Sequence, residues 1–196
     1  MKLTDLLCKL EYECIQGSAD LEISQVVYDS RKITEGCLFI CIAGANFDGH
    51  DFAAEAADQG ARAMVVSREM PEMAGRDVTL IKVPDTRYAM AFISAAYFGY
   101  PAEKLRVIGI TGTKGKTTTT YMVKSILENA GYKVGLVGTI EVIIGREHIH
   151  AGNTTPESYS LQEYFARMVE AGMDAVVMEV SSQGLMLHRT QGFVFD

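Results

Sequence analysis

The sequence predicts an α/β protein of two domains. A small N-terminal α/β domain is expected over residues 1–100, and a domain with a mostly parallel sheet over 101–196. Three observations lead there. Short apolar runs alternate with helix-length segments along the whole chain, the pattern of strands covered by helices. A glycine-rich turn stands between an apolar run and an amphipathic helix in the second half. The 196 residues are 48% hydrophobic and 22% charged, an ordinary globular composition with enough material for one good core or two modest ones.

In the first half, the strand candidates are Gln25-Val26-Val27-Tyr28, Leu38-Phe39-Ile40-Cys41-Ile42, Ala63-Met64-Val65-Val66 and Leu80-Ile81-Lys82-Val83. An Ala-rich helix is expected from Asp51 to Gln59, with Gly60 past its end, and a second helix from Thr86 to Tyr97. The segment Phe98-Gly99-Tyr100-Pro101 marks the seam between the domains.

Beyond the seam, Arg106-Val107-Ile108-Gly109-Ile110 reads as a strand that runs into the glycine turn. The helix after it, Lys116 to Asn129, is expected to bury Met122, Val123, Ile126, Leu127 and Ala130 and to stop at Gly131. Lys133 to Gly138 is the returning strand of a right-handed βαβ unit. A hairpin follows, Ile140–Ile144 and Glu147–His150 around Gly145-Arg146. Thr155-Pro156 is expected to open a helix that buries Leu161, Phe165, Met168 and Val169. Asp174 to Val180 is apolar enough to be a strand covered on both faces. Phe193-Val194-Phe195-Asp196 reads as part of another strand.

Composition also excludes function classes. The formal net charge is −7, so no broad basic surface invites nucleic acid. No run approaches the roughly 20 apolar residues of a membrane-spanning helix. Asp5, Glu11 and Glu13 interrupt the N-terminus where a signal peptide needs an apolar stretch, and a cytoplasmic protein is expected. Cys8, Cys14, Cys37 and Cys41 have neither CxxC spacing nor a nearby histidine pair, and are expected as reduced core thiols. His148-x-His150 reads as an exposed polar strand rather than a metal chelate.

Gly112-Thr113-Lys114-Gly115-Lys116-Thr117-Thr118 carries the strongest chemical signal. A Gly-x-x-Gly-Lys-Thr turn between strand and helix aims successive backbone N–H groups inward and makes a concave anion site, to which the helix N-terminus adds partial positive charge. In such a P-loop Lys116 can bridge the outer phosphates of a nucleotide, and the Thr117 hydroxyl can reach Mg2+. The loop departs from the longer Gly-x4-Gly-Lys-Thr form, since Ile110 stands where that form has its first glycine. Glu179 ends an apolar strand, the place where α/β folds hold their ligands, and its carboxylate can share the metal with Thr117. Lys116 and Glu179 are therefore the expected catalytic pair.

Taken together, these residues resemble the Mur ligases, in the branch that adds the third peptide residue in peptidoglycan assembly. The resemblance runs from Asp29-Ser30-Arg31 through Gly36-Cys37-Leu38-Phe39-Ile40, Gly44-x3-Asp48-Gly49 and Asp85-x-Arg87 to the phosphate loop. Asn153-Thr154-Thr155-Pro156, Glu179-Val180-Ser181-Ser182-x-Gly184-Leu185 and His188-Arg189 complete it. It implies that the first domain holds the UDP end of a UDP-N-acetylmuramoyl dipeptide, with Tyr28, Ser30 and Ala45-Asn46-Phe47 near the uridine. It implies that the second domain binds ATP and magnesium, while Asn153, Thr154, Thr155, Ser181 and Arg189 hold the muramoyl dipeptide. The chemistry implied is attack of a D-glutamate carboxylate on the γ-phosphate, then displacement of phosphate by the amine of lysine or diaminopimelate. A full-length protein of this kind is expected to be monomeric, bound to neither membrane nor nucleic acid.

Three positions differ from the family pattern: Lys114 replaces an asparagine, Gln183 a histidine and Leu187 a glutamine. The resemblance also implies a longer protein, whose second magnesium histidine, carbamylated lysine and amino-acid-binding domain lie beyond Asp196. Two alternatives stay open from the sequence, another ligase of the Mur or folylpolyglutamate type and a non-catalytic nucleotide-binding fragment.

Overall fold

A computed structural model describes residues 1–44 and 47–196. Ten strands among them form two sheets of five, and the chain divides between Ile93 and Ser94 into two compact units.

In the first unit, α1 (Leu3–Leu7), β1 (Glu13–Gln16), β2 (Val26–Val27), β3 (Leu38–Ile40), α2 (Ala53–Asp58), β4 (Ala63–Val66), β5 (Thr79–Lys82) and the start of α3 (Thr86–Tyr97) follow in order. The sheet runs β1-β5-β4-β3-β2, with β2 to β5 parallel and β1 antiparallel on β5. Phe39, Met64, Val66, Met73 and Leu80 pack one core around Cys37 and Cys41. Burial pushes the Cys37 thiol up and that of Cys41 up to about 12, so neither is a ready nucleophile. Cys8 and Cys14 are exposed, so only two of the four thiols are in the core as expected. The helix expected from Asp51 begins instead at Ala53. The Asp48 carboxylate accepts the His50 N–H and winds Gly49–Phe52 into a tighter 3-10 turn first.

The second unit contains β6 (Arg106–Ile110), α4 (Lys116–Asn129), β7 (Val134–Val137), β8 (Glu141–Ile144), β9 (Glu147–His150), α5 (Ser158–Glu170), β10 (Ala175–Glu179) and α6 (Ser182–Met186). Its sheet order is β6-β10-β7-β8-β9. The strands of the expected βαβ unit, β6 and β7, are thus not neighbours, because β10 lies between them and is parallel to both. The β7–β8 and β8–β9 pairs are antiparallel. Leu161, Phe165 and Met168 of α5 cover one face of the sheet, over Val107, Val137, Val176 and Met178. Val123 and Leu127 of α4 cover the other, over Val134, Ala175 and Val177. All five residues of β10 are buried, as a central strand clad on both sides requires.

Three expectations are corrected here. Met122, Ile126 and Ala130 are exposed, the first two at 61% and 67%, because the face of α4 turned to the sheet runs through the buried Thr120 and the half-buried Val123 and Leu127 instead. Thr155 does not cap α5, which starts at Ser158; its hydroxyl donates to the Glu179 carbonyl, which draws the residue fully inside. Phe193 to Phe195 form no strand. Phe193 stacks edge-on against both Phe165 and Phe195, and the Asp196 carboxylate, not a backbone carbonyl, takes the Val107 N–H.

Candidate functional site

The glycine turn joins β6 to α4, and its shape follows from two glycines in the left-handed half of backbone space, Gly112 at φ 149° and Gly115 at φ 79°. Gly115 is the N-cap of α4 and no side chain caps the helix there, so an anion can take that place. Lys116, the first helical residue, folds back and donates from Nζ to the Gly112 carbonyl at 2.8 Å. One turn on, the Thr120 hydroxyl donates to the Lys116 carbonyl at 2.8 Å, which pins the backbone of the first turn.

Thr117 points to the end of β10, where its hydroxyl donates to Glu179 Oε2 at 3.0 Å. The two residues singled out in the sequence for a shared metal are therefore in direct contact. Glu179 is 1% exposed, and its remaining acceptor capacity is met by Thr139, from the backbone N–H to Oε1 at 2.9 Å and from the hydroxyl to Oε2 at 3.1 Å. Gly138 makes room for this grip, since a Cβ there would lie 2.6 Å from Glu179 Oε1. Sequence reasoning missed Gly138 and Thr139. The available signal was their position just past β7, at the carboxyl edge of the sheet beside Glu179.

Behind the carboxylate, Thr155 and Ser181 meet. The Thr155 hydroxyl donates to the Glu179 carbonyl at 3.0 Å and accepts the Ser181 N–H at 2.9 Å, while Ser181 Oγ accepts the Gly184 N–H at 3.0 Å. Thr154 and Thr139 share a hydroxyl hydrogen bond of 3.0 Å, and Asn153 is exposed beside them. Arg189 donates from Nη1 to the Thr155 carbonyl at 2.9 Å and from Nη2 to Glu157 at 2.7 Å. Phosphate loop, carboxylate and 153–155 loop thus form one connected polar network. A neighbouring network escaped the sequence reading: Glu141 accepts from the Tyr121 hydroxyl at 2.7 Å and lies 2.7 Å from His148 Nδ1. Burial, followed by this hydrogen bond, pushes the Tyr121 phenol up to about 12.

The donor set around Thr117 and Glu179 is all oxygen, one carboxylate with hydroxyls, the hard ligands that suit magnesium shared with phosphate oxygens and water. These residues fit that ion.

In the first unit, Tyr28, Ser30 and Phe47 line a cavity of about 510 Å³ together with Phe39, Gly44 and Phe52. Ala45 and Asn46, also expected near the uridine, lie outside the described residues. The Asp29 carboxylate caps the short turn Ser30–Lys32 and holds Arg31 through Nε at 2.9 Å and Nη2 at 2.8 Å. That guanidinium keeps the Asp29 carboxyl below its usual range. Aromatic walls with a few polar groups at one rim are the make-up of a site for a flat, partly polar ring.

Both units match known proteins. The family described as "Mur ligase family, catalytic domain" matches residues 22–98, and "Mur ligase middle domain" matches residues 110–196. The UDP-N-acetylmuramoyl-L-alanyl-D-glutamate–2,6-diaminopimelate ligase of Clostridium perfringens is 47% identical over 196 residues, all of this chain and 40% of that protein. The ligase of the same name from Caldanaerobacter subterraneus is 49% identical with the same coverage. A solved structure of a ligase of this name superposes on the whole chain and 39% of its own with a TM-score of 0.81 at 22% identity, a likeness of fold. A MurF ligase from Thermotoga maritima, in complex with ADP, matches 81% of this chain and 32% of its own at 26% identity and a TM-score of 0.53. The chain thus spans about 40% of the length of these curated relatives. With both of its halves matched by that one family, and the fold shared with a solved member, the chain belongs to the Mur ligases.

Proposed function

We propose that this chain forms the UDP-substrate-binding and ATP-binding parts of an ATP-dependent amide ligase of peptidoglycan synthesis. The third amino acid would be added to UDP-N-acetylmuramoyl-L-alanyl-D-glutamate, and diaminopimelate is the acid for which the relatives above are named. The observation that carries the reading is the Thr117–Glu179 contact at the mouth of the phosphate loop. It joins a residue that opens the phosphate-binding helix to a buried carboxylate, which is how a nucleotide and its metal are held together.

On this reading the loop from Gly112 to Thr118 wraps the phosphates. Lys116 leaves the Gly112 carbonyl, or shares it, to meet the outer phosphates. Thr117 and Glu179 hold magnesium, which when bound supplies charge neutralisation at the transferred phosphoryl group. Asn153, Thr154, Thr155, Ser181 and Arg189 steady the dipeptide end. Thr155 and Ser181 do so as a hydrogen-bonded pair, and Arg189 does so by fixing the Thr155 carbonyl. Tyr28, Ser30, Ala45, Asn46 and Phe47 take the uridine. The reaction needs aligned substrates and neutralised charge more than proton transfer, and these groups provide both. A cytoplasmic setting is part of the same proposal; among the described residues no helix is long and apolar enough to cross a membrane.

Calorimetric titration of MgATP and, separately, of UDP-N-acetylmuramoyl-L-alanyl-D-glutamate tests the reading. Both are expected to bind. Lys116→Ala is expected to lose roughly 2–3 kcal/mol of MgATP affinity, the scale of a charge-assisted contact to phosphate, with the UDP ligand unaffected. A wild-type chain that binds neither ligand, or a variant that binds MgATP unchanged, overturns it.

A further inference from the structure

His50 is 3% exposed and belongs to no part of the machinery described above. Its ring lies between two partners. Nδ1 is 2.6 Å from Asp48 Oδ1, and Nε2 is 3.0 Å from the backbone nitrogen of Ser67, just past the end of β4. The Ser67 hydroxyl is also close, 3.3 Å from Nε2, so Asp48, His50 and Ser67 stand in the order of a hydrolytic triad. Hydrogen-bond logic removes that reading. A backbone N–H can only donate, so Nε2 must accept from it, and the lone pair a serine nucleophile would need is already occupied. The ring proton is then on Nδ1 and is donated to Asp48. Burial alone would raise the Asp48 carboxyl, but the hydrogen bonds from His50 and the nearby Arg68 guanidinium together outweigh it and hold the carboxyl below its usual range.

The same aspartate organises the cavity wall. Asp48 Oδ1 accepts the His50 backbone N–H at 3.0 Å, Asp48 pairs with Ala43, and the Gly44 N–H donates to the Phe47 carbonyl at 2.8 Å. Gly44 and Phe47 both line the 510 Å³ cavity. Gly49 lets the chain press onto the strand end behind it, since a Cβ there would lie 2.8 Å from the Ile42 nitrogen. We propose that His50 is a positioning residue for this cavity: a neutral, Nδ1-protonated imidazole that staples the cavity residues Gly44 and Phe47, through Asp48, to the end of β4 at Ser67. The role rests on the reading of the cavity as the uridine site. There, an aromatic side chain on a loop binds a ring well only if the loop is held in place beforehand.

The test is calorimetric titration of UDP into the 196-residue chain, with MgATP as control ligand. His50→Gln keeps an acceptor near Ser67 but loses the donor to Asp48, and His50→Asn does the reverse. Each is expected to weaken UDP binding about tenfold, the weight of one buried hydrogen bond, and to leave MgATP affinity unchanged. Asp48→Asn, which can still accept both hydrogen bonds, is expected to retain UDP affinity, whereas Asp48→Ala loses it. Ser67→Ala keeps the backbone N–H and is expected to bind UDP as the wild type does. Should the His50 variants fail to fold, 15N NMR of the histidine-labelled wild type decides, because the proposal requires a protonated Nδ1 and a bare Nε2. The opposite tautomer, full UDP affinity in both His50 variants, or a loss in Ser67→Ala equal to theirs overturns the staple. If the wild type binds no UDP while its His50 has the expected tautomer, the uridine reading fails and this role fails with it.

Discussion

Replacing Glu179 separates charge from structure at the phosphate site. The carboxylate accepts three hydrogen bonds, from the Thr139 N–H at Oε1 and from the Thr117 and Thr139 hydroxyls at Oε2. In Glu179→Gln the amide oxygen must face Thr139 N–H, which can only donate. The new NH2 then faces two hydroxyls, and each can turn to accept. All partners stay satisfied, so the fold is expected to change by less than about 1 kcal/mol. Glu179→Ala leaves the Thr139 N–H without its acceptor, but Thr139 is exposed and water can replace part of the bond, so the cost is about 0.5–1.5 kcal/mol. For a unit of this size each kcal/mol lowers Tm by roughly 4–8 °C. Nucleotide binding is expected to move differently. With the negative charge gone, MgATP affinity falls by about 1.5–3 kcal/mol, or about 10- to 150-fold. ATP in EDTA binds Glu179→Gln as well as the wild type or better, since a like charge beside the phosphates has been removed. Thermal melts and paired titrations with and without magnesium measure all of this. Equal losses with and without the metal would refute the reasoning, because Glu179 would then act only through the fold; unchanged MgATP affinity would refute it outright.

Three further outcomes are expected. Gly115→Ala is destabilised by about 1–2 kcal/mol in urea unfolding, the cost of a left-handed L-residue, because a Cβ there meets no atom within 4 Å and only the φ of 79° opposes it. Ser30→Ala weakens UDP binding by about 0.5–1.5 kcal/mol, one neutral hydrogen bond, with MgATP affinity unchanged in the same calorimeter. The Tyr121 phenol, pushed up to about 12 by burial and by Glu141, contributes stability that is complete below its ordinary value near 10 and is lost as the pH rises through 12. Ultraviolet titration of wild type against Tyr121→Phe is expected to show one late-ionising tyrosine missing in the variant.

Much of the second unit was readable in the chain because its signals are local. The turn from Gly112 to Thr118 declares itself by glycine spacing, and α4 occupies the residues its periodicity marks. The stripe on α4 was misjudged because Met122 and Ile126 share the helical spacing of Val123 and Leu127, one residue out of phase. Apolar periodicity alone cannot choose between two adjacent stripes; the polar Thr120, drawn under by its bond to the Lys116 carbonyl, lies on the one that is buried.

By itself, the sequence determined that a glycine-rich turn joins a strand to a helix and that a carboxylate ends a buried strand, both within an α/β chain. Neighbouring residues carry that information, since turn conformation and strand or helix period extend over only a few positions. Tertiary structure alone decided which groups meet. Thr117 reaches Glu179 across 62 positions and Thr139 reaches it across 40. Both contacts exist because β10 enters the sheet between β6 and β7, though it follows them in sequence. Strand insertion of that kind is governed by how whole faces of helix and sheet bury one another. No short stretch of residues encodes it, and so Thr139, Gly138 and His50 became visible only once the chain was folded.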